Sequence, residues 1–227
     1  MGKLSLNRIR RVSQLYNLKP KSYTRKQNTT RDKGLPDSKI PNLIKKLTIT
    51  KPNQVWCADF TYLKFNQWYF LATVIDAYTK EIVGFHLSTN HSTDLIIMAF
   101  EQATAHYGIP AITHNDQGSE YTSFDYLALV KHLGILPSNS AKSSPWENSY
   151  QESFYGKFKP ELELHKLPKN SNIIDIYNYI SNQIDYYNNY RIHTTHMDIP
   201  TNARKEYFRL KNQVKTEENL VYQELVA

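Results

Sequence analysis

A single cysteine, Cys57, among 227 residues excludes a disulfide framework and any zinc site built on cysteine pairs, and makes a reducing, cytoplasmic setting the default. The N-terminus has no apolar signal-like region, and the longest apolar run, Tyr69 to Ile75, is far too short to span a bilayer. Neither secretion nor membrane insertion is expected, and no internal repeat is visible. Acidic residues are nearly missing from the first 51 positions, where Asp32 and Asp37 stand against fourteen Lys and Arg for a net +12. The remainder carries −5, within an overall charge of +7. A basic segment joined to a mildly acidic domain suits an arm that binds nucleic acid, because neutralising phosphates releases counterions without any need to read bases. Candidate contacts in that arm are Arg8, Arg10, Arg11, Lys19, Lys21, Arg25 and Lys26.

What is present is enough for a sizeable core: 40% hydrophobic and 13% aromatic residues exclude disorder throughout. Arg8 to Leu18 sets Ile9, Val12, Leu15 and Tyr16 at helical spacing against basic residues. Lys19 to Ile40 turns polar and proline-bearing, as an extended linker does. The domain boundary is expected near Lys51, giving a basic helix and linker over 1–50, a core over 51–165 and a helical extension over 166–227.

Val55–Leu63, Trp68–Ile75 and Glu81–Ser88 are rich in β-branched and aromatic residues and separated by hairpin-length gaps, which predicts three antiparallel strands. A helix over Thr93–Tyr107, stopped by Gly108 and Pro110, leads to a strand at Ala111–Asn115. A helix over Ser123–Leu133 leads to a fifth strand at Ile135–Ser138. Strand–helix–strand links of this length make parallel, right-handed crossovers. The expected fold is α/β, a mixed sheet of three antiparallel and two parallel strands flanked by helices. Ile173, Tyr177, Ile180, Ile184 and Tyr187 predict a long helix from about Ser171 to Tyr187, and the charged segment Arg204 to Glu218 reads as a final helix or a loose tail.

Three carboxylates stand out. Asp59 lies mid-strand in a segment apolar on both faces, where an ionised group is costly without a cation or hydrogen-bond donors. Asp116 follows the carboxyl end of the fourth strand in a turn with Gly118, where open α/β sheets bind ligands. Glu152 belongs to a helix expected to begin at Ser144, whose Ser144, Pro145 and Glu147 have the form of a capping box. On it Trp146, Tyr150, Phe154 and Phe158 form a packing stripe, with Asn148, Glu152, Tyr155 and Lys159 on the opposite ridge. If the first and fourth strands are neighbours, Asp59 and Asp116 face each other with Glu152 above them. Oxygen ligands without His or Cys suit Mg²⁺ or Mn²⁺. Lys142, Asn148, Lys157 and Lys159 flank this constellation as candidate phosphate contacts, and Tyr155, on the ridge with Glu152, reads either as a surface on which an unpaired base can stack or as half-buried packing. His193 and His196 with Arg191 read as a local polar cluster.

The segments WCADFTYL, HNDQGSEY and SPWENSYQESF, with 35 residues between Asp116 and Glu152, resemble the catalytic core of second-frame (orfB-type) transposases of bacterial insertion sequences, relatives of retroviral integrases. The likeness runs from about Asn53 to Tyr207 and includes DAYTKEIVGF and YYNNYRIHTTHMDIPTNA. Arg8 to Leu18 is similar to the last helix of the helix-turn-helix region preceding that core, whose earlier helices have no counterpart in these 227 residues. The chain departs at Glu147, where aspartate is usual, and at Tyr150 and Gln151, which replace smaller residues.

The resemblance implies a ribonuclease-H-like fold, a catalytic and metal-binding triad of Asp59, Asp116 and Glu152, and chemistry on two Mg²⁺ or Mn²⁺ ions. It implies DNA ends and target as partners, homo-oligomers on DNA, the product of an upstream reading frame as a further partner, and a cytoplasmic, nucleoid-associated setting. The expected activity is metal-dependent cleavage and strand transfer at insertion-sequence ends. Two alternatives stand beside it: a truncated DNA-binding remnant, and a nuclease that cleaves without joining.

Overall fold

Alternation of large apolar side chains along three consecutive strands gives a sheet with two buried faces, and each face recruits helices from the segments that follow. The computed structural model describes residues 6–16, 40–141 and 149–226. The chain divides into two units, Met1–Arg31 and Asp32–Ala227. In the first, α1 spans Leu6–Leu15, so the helix expected over Arg8 to Leu18 begins two residues earlier, and residues 17 and 18 lie outside the described part.

In the second unit, β1 (Val55–Lys64), β2 (Trp68–Asp76) and β3 (Ile82–Ser88) form an antiparallel meander. β4 (Ile112–Asn115) pairs parallel to β1, and β5 (Leu136–Asn139) parallel to β4. The order β3-β2-β1-β4-β5 makes β1 the central strand. The mixed sheet expected from the sequence is therefore the one that forms. Residues 40–50, assigned from sequence to the basic arm, turn Ile44, Leu47 and Ile49 onto Val55, Cys57 and Ala77. Cys57 is fully buried and its thiol is pushed up to about 12 by that burial, so it serves as packing.

One face of the sheet carries α2 (Thr93–Tyr107) and α3 (Phe124–His132), which pack Ile96, Phe100, Tyr126 and Val130 against Trp56, Ala72 and Val74. Gly84 permits the approach of α2: a Cβ there would collide with the Ala99 carbonyl and lie 2.7 Å from the Ala103 Cβ. Gly108 ends α2 at φ 81°, a conformation glycine adopts without strain. The other face carries α4 (Ser149–Leu162) and α5 (Ile173–Asn189). Phe154, Phe158, Ile180 and Ile184 pack there on Leu63, Leu71 and Ile75. α5 opens on a capping box in which Asn172 accepts from the backbone N–H groups of Ile174 and Asp175. Its buried stripe is Ile176, Ile180, Ile184 and Tyr187; Ile173, expected on it, is the first residue of the helix and 37% exposed.

The charged C-terminal segment is helical, α6 spanning Pro200–Val226. Its anchor is Arg204, whose guanidinium reaches Glu81 at 2.5 Å, Asp76 at 3.0 Å and the Asn53 side chain at 3.1 Å. Asp76 is wholly buried and also accepts from the backbone N–H groups of Asn53, Tyr78 and Thr79. No helix among the described residues is long and apolar enough to cross a membrane. Arg204→Leu leaves two buried carboxylates without their cation, and is expected to lower the unfolding free energy by about 3–5 kcal/mol in urea titration; a loss under 1 kcal/mol would show that α6 is held by other contacts.

Candidate active site

Period two sets Val55, Cys57, Asp59, Thr61 and Leu63 on one face of β1, the face that α4 covers. Asp59 is half-buried and its Oδ1 accepts the Phe60 N–H at 2.8 Å. The β1–β4 ladder runs from Val55↔Ile112 to Cys57↔His114, and the same register carried two residues further sets Asp116 level with Asp59. Asp116 closes an Asx-turn, its Oδ1 accepting the Gly118 N–H at 2.8 Å. Burial pushes its carboxyl above the usual carboxylate range, the Gly118 N–H opposes that rise and the Glu120 charge adds to it. Gly118 has little room to be anything else, since a Cβ would lie 3.0 Å from Asp116 Oδ1 and 3.2 Å from Glu120 Oε2.

Tyr121 is buried in the core with Trp56, Phe100 and Tyr126. Its hydroxyl is, among the described residues, the one buried side-chain polar atom without a hydrogen-bond partner. Burial first, and then the charges of Asp59 and Asp116, hold its pKa well above the usual value for tyrosine. A neutral phenol that feels both carboxylates is a donor suited to a water or an oxygen held between them.

α4 runs along β1 in the same direction. Gln151 is fully buried and donates to the Cys57 carbonyl at 2.6 Å and the Thr73 carbonyl at 3.2 Å. One turn on, the Tyr155 hydroxyl lies 2.8 Å from the Asp59 carbonyl and 3.2 Å from that of Leu71, and receives the Thr73 hydroxyl at 2.8 Å. Another turn on, Lys159 Nζ donates to Thr61 Oγ1 at 3.1 Å. Glu152 is exposed in the first turn of the described helix, and at seven residues' spacing it shares a flank with Lys159. Lys157 emerges on the opposite flank.

This corrects the sequence reading of Tyr155, which is 4% exposed and packs in the core, where it cannot stack on a base. The four-residue repeat traced only one edge of a buried face that also includes Gln151, Tyr155 and Leu162. The helix start at Ser144, Pro145 and Glu147, and the candidates Lys142 and Asn148, lie outside the described residues, as do Lys19, Lys21, Arg25 and Lys26. Arg8, Arg10 and Arg11 lie on α1, where the Arg11 side chain is exposed. Sequence reasoning missed Tyr121, the anchoring role of Gln151, and Arg204.

The β1–β4 register, extended two residues past its last pair, carries Asp116 to the level of Asp59, and no group of three or more His, Cys, Asp or Glu among the described residues is drawn together tightly enough to hold a metal ion. The donor set nevertheless fits a hard divalent cation: Asp59, Asp116 and Glu152 offer oxygen alone, and the partnerless Tyr121 hydroxyl lies within reach of both aspartate charges.

Two families, each described as an integrase core domain, match the chain over residues 49–145 and 133–200. The transposase for insertion sequence element IS904 of Lactococcus lactis subsp. lactis (strain IL1403) is 36% identical over 160 residues, covering 68% of this chain and 62% of that protein. The transposase for insertion sequence element IS629 of Shigella sonnei is 32% identical over 165 residues, covering 70% and 54%. The chain thus spans less than two thirds of the length of these relatives. Among solved structures, the HTLV-2 integrase catalytic core domain in complex with magnesium (trimeric form) matches with a TM-score of 0.56 at 19% identity, covering 68% of this chain and 97% of that one. The likeness carries the fold: the mixed sheet is ribonuclease-H-like.

Tyr155→Phe removes the hydroxyl from three buried partners and is expected to cost about 1–3 kcal/mol in denaturant unfolding with secondary structure retained; a change within about 0.5 kcal/mol is the behaviour of a surface tyrosine and would contradict its buried position.

Proposed function

The chain belongs to the integrase core domain family of insertion-sequence transposases, and from that premise we propose that it is a DNA transposase, a polynucleotidyl transferase that cleaves and joins phosphodiesters at insertion-sequence ends. The observation that supports this reading is the parallel β1–β4 ladder, whose register continued two residues further would put Asp116, just past the end of β4, level with Asp59 in the middle of β1. Asp59, Asp116 and Glu152 would hold two divalent ions, Mg²⁺ or Mn²⁺. When bound, such ions supply Lewis acidity at phosphorus and make the attacking oxygen a better nucleophile.

The protein's own part is positioning. The Gly118 and Phe60 N–H groups orient the two aspartates through Oδ1. Gln151 and Tyr155 fix α4, and with it Glu152, along β1. Lys159, on the flank of Glu152, is a phosphate contact for the DNA entering there. In the first reaction the oxygen of water forms a new bond to phosphorus as the bond to the departing DNA 3′-oxygen breaks, and that oxygen leaves protonated as a 3′-hydroxyl. In the second, that 3′-hydroxyl gives up its proton as its oxygen bonds to a target phosphorus and the bond to the target strand's own 3′-oxygen breaks; the displaced oxygen leaves protonated as a new 3′-hydroxyl and the element end is joined to the target's 5′-phosphate. No covalent enzyme intermediate is needed.

The assignment extends to the whole chain in outline. With residues 40–50 packed on the core, the segment before residue 40 is a basic arm for DNA, in which Arg8, Arg10, Arg11, Lys19, Lys21, Arg25 and Lys26 contact phosphates without reading bases. Lys142, Asn148 and Lys157 are further contacts from the core. Because two element ends must be handled together, the acting form is a homo-oligomer on DNA, in the cytoplasm and at the nucleoid, with an upstream reading frame supplying a further component.

The test is incubation of the protein with labelled candidate terminal repeats and Mg²⁺. Cleavage and joining are expected, both abolished by EDTA and reduced by about a hundredfold or more in Asp116→Asn. A wild-type rate in Asp116→Asn would refute the triad. Cleavage of arbitrary DNA without joining would make the protein a nuclease, and binding without cleavage would make it a DNA-binding remnant.

A further inference from the structure

On the flank of α4 away from Glu152, a cleft of ≈ 330 Å³ opens between the β2–β3 turn, α4 and the segment after α5. Three cationic side chains line it, Lys80 from the turn, Lys157 from α4 and Arg191 from the end of α5, together with His193, Thr195 and Tyr150. No carboxylate is among its lining residues; Glu161, behind it, receives two hydrogen bonds from Arg191 and holds that guanidinium in place.

The cleft is built, and two of its three cations are held in place. The Lys80 ammonium is fixed over the Tyr150 ring, 4.1 Å from its centroid, and donates to the Ala77 carbonyl. The Arg191 guanidinium lies over the Tyr187 ring at 5.5 Å. His193 Nδ1 accepts the Thr195 N–H at 3.2 Å, so the proton of the neutral ring is on Nε2, where it is a donor. Three cations and the neutral His193 donor thus surround a space that would hold on the order of ten waters, ample for a tetrahedral anion and part of its hydration.

We infer that this cleft binds a phosphate group of a DNA backbone, through Lys80, Lys157, Arg191 and His193, on the side of α4 opposite the carboxylates. The inference rests on the reading of the protein as one that acts on DNA, and gives α4 a second DNA contact about one helix diameter from Glu152. The charge state of His193 reports the field that attracts the anion. Burial, and then the positive charges of Lys80, Lys157 and Arg191, with His196 beyond them, push its pKa down to about 4. Burial also lowers Lys80, to about 8, which leaves it largely charged at neutral pH. An anion seated among these groups compensates their charge and favours the protonated imidazole.

The experiment is an NMR titration of His193 in the full chain, assigned with His193→Asn, alone, with inorganic phosphate and with a short DNA duplex. Both additions are expected to raise the His193 midpoint by about one pH unit or more. Alongside it, Lys157→Gln, a change at an exposed position, is expected to lower the slope of log affinity for the duplex against log salt by about 0.9. A His193 midpoint unmoved by inorganic phosphate would overturn the site. If phosphate moves it but a bound duplex does not, and the salt slope of Lys157→Gln matches wild type, the DNA source is wrong. If no duplex binds at all, the transposase reading fails, and the inorganic phosphate arm still decides the cleft.

Discussion

Two buried side chains of α4, Gln151 and Tyr155, hydrogen-bond to carbonyls of β1 and β2, and the geometry of the candidate site depends on that clamp. A helix laid on a sheet by apolar contacts alone can shift along it at modest cost, since Phe154 and Phe158 would find other aliphatic neighbours. Polar groups buried at the interface cannot shift, because leaving a donor or a carbonyl unsatisfied there costs about 1–3 kcal/mol. The helix is therefore pinned in both register and rotation. Glu152 and Lys159 are held on one flank, Ser153 and Lys157 on the other.

The clamp has value only because β1 is central. Antiparallel pairing to β2 supplies the Thr73 and Leu71 carbonyls that α4 uses, while parallel pairing to β4 brings Asp116 level with Asp59. Both contributions meet at Asp59, whose carbonyl is bound by Tyr155 and whose carboxylate faces the site. Arg204 plays the corresponding part at the other end of β1 and β2, tying α6 to Asp76 and Glu81. That tie brackets the segment containing Arg191 and His193, so the basic cleft and the carboxylates rest on one sheet by separate anchors.

The strands were legible in sequence to within a residue or two, because β-branched and aromatic runs bounded by short polar gaps have few other solutions. Asp59 and Asp116 were legible for the same reason: a charge inside a two-faced apolar strand and an aspartate beside a turn glycine are local anomalies. Gln151 was not, since periodicity counts apolar side chains and a buried amide registers as a surface residue. Tyr155 was set on the wrong face because the Tyr150, Phe154 and Phe158 repeat marks one edge of the buried surface. Arg204 was hidden in a charged segment whose partners lie 123 and 128 residues away in sequence. The cleft could not be foreseen at all, as its cations come from three segments brought together only by the fold.

The central claim is that the clamp on α4 makes Glu152 part of one metal site with Asp59 and Asp116. Mn²⁺ binding followed by electron paramagnetic resonance tests it most directly, comparing wild type with Glu152→Gln and with Gln151→Leu. Both substitutions are expected to weaken Mn²⁺, Gln151→Leu by about ten- to a hundredfold through loss of positioning alone. Mn²⁺ affinity equal to wild type in Glu152→Gln would contradict the account.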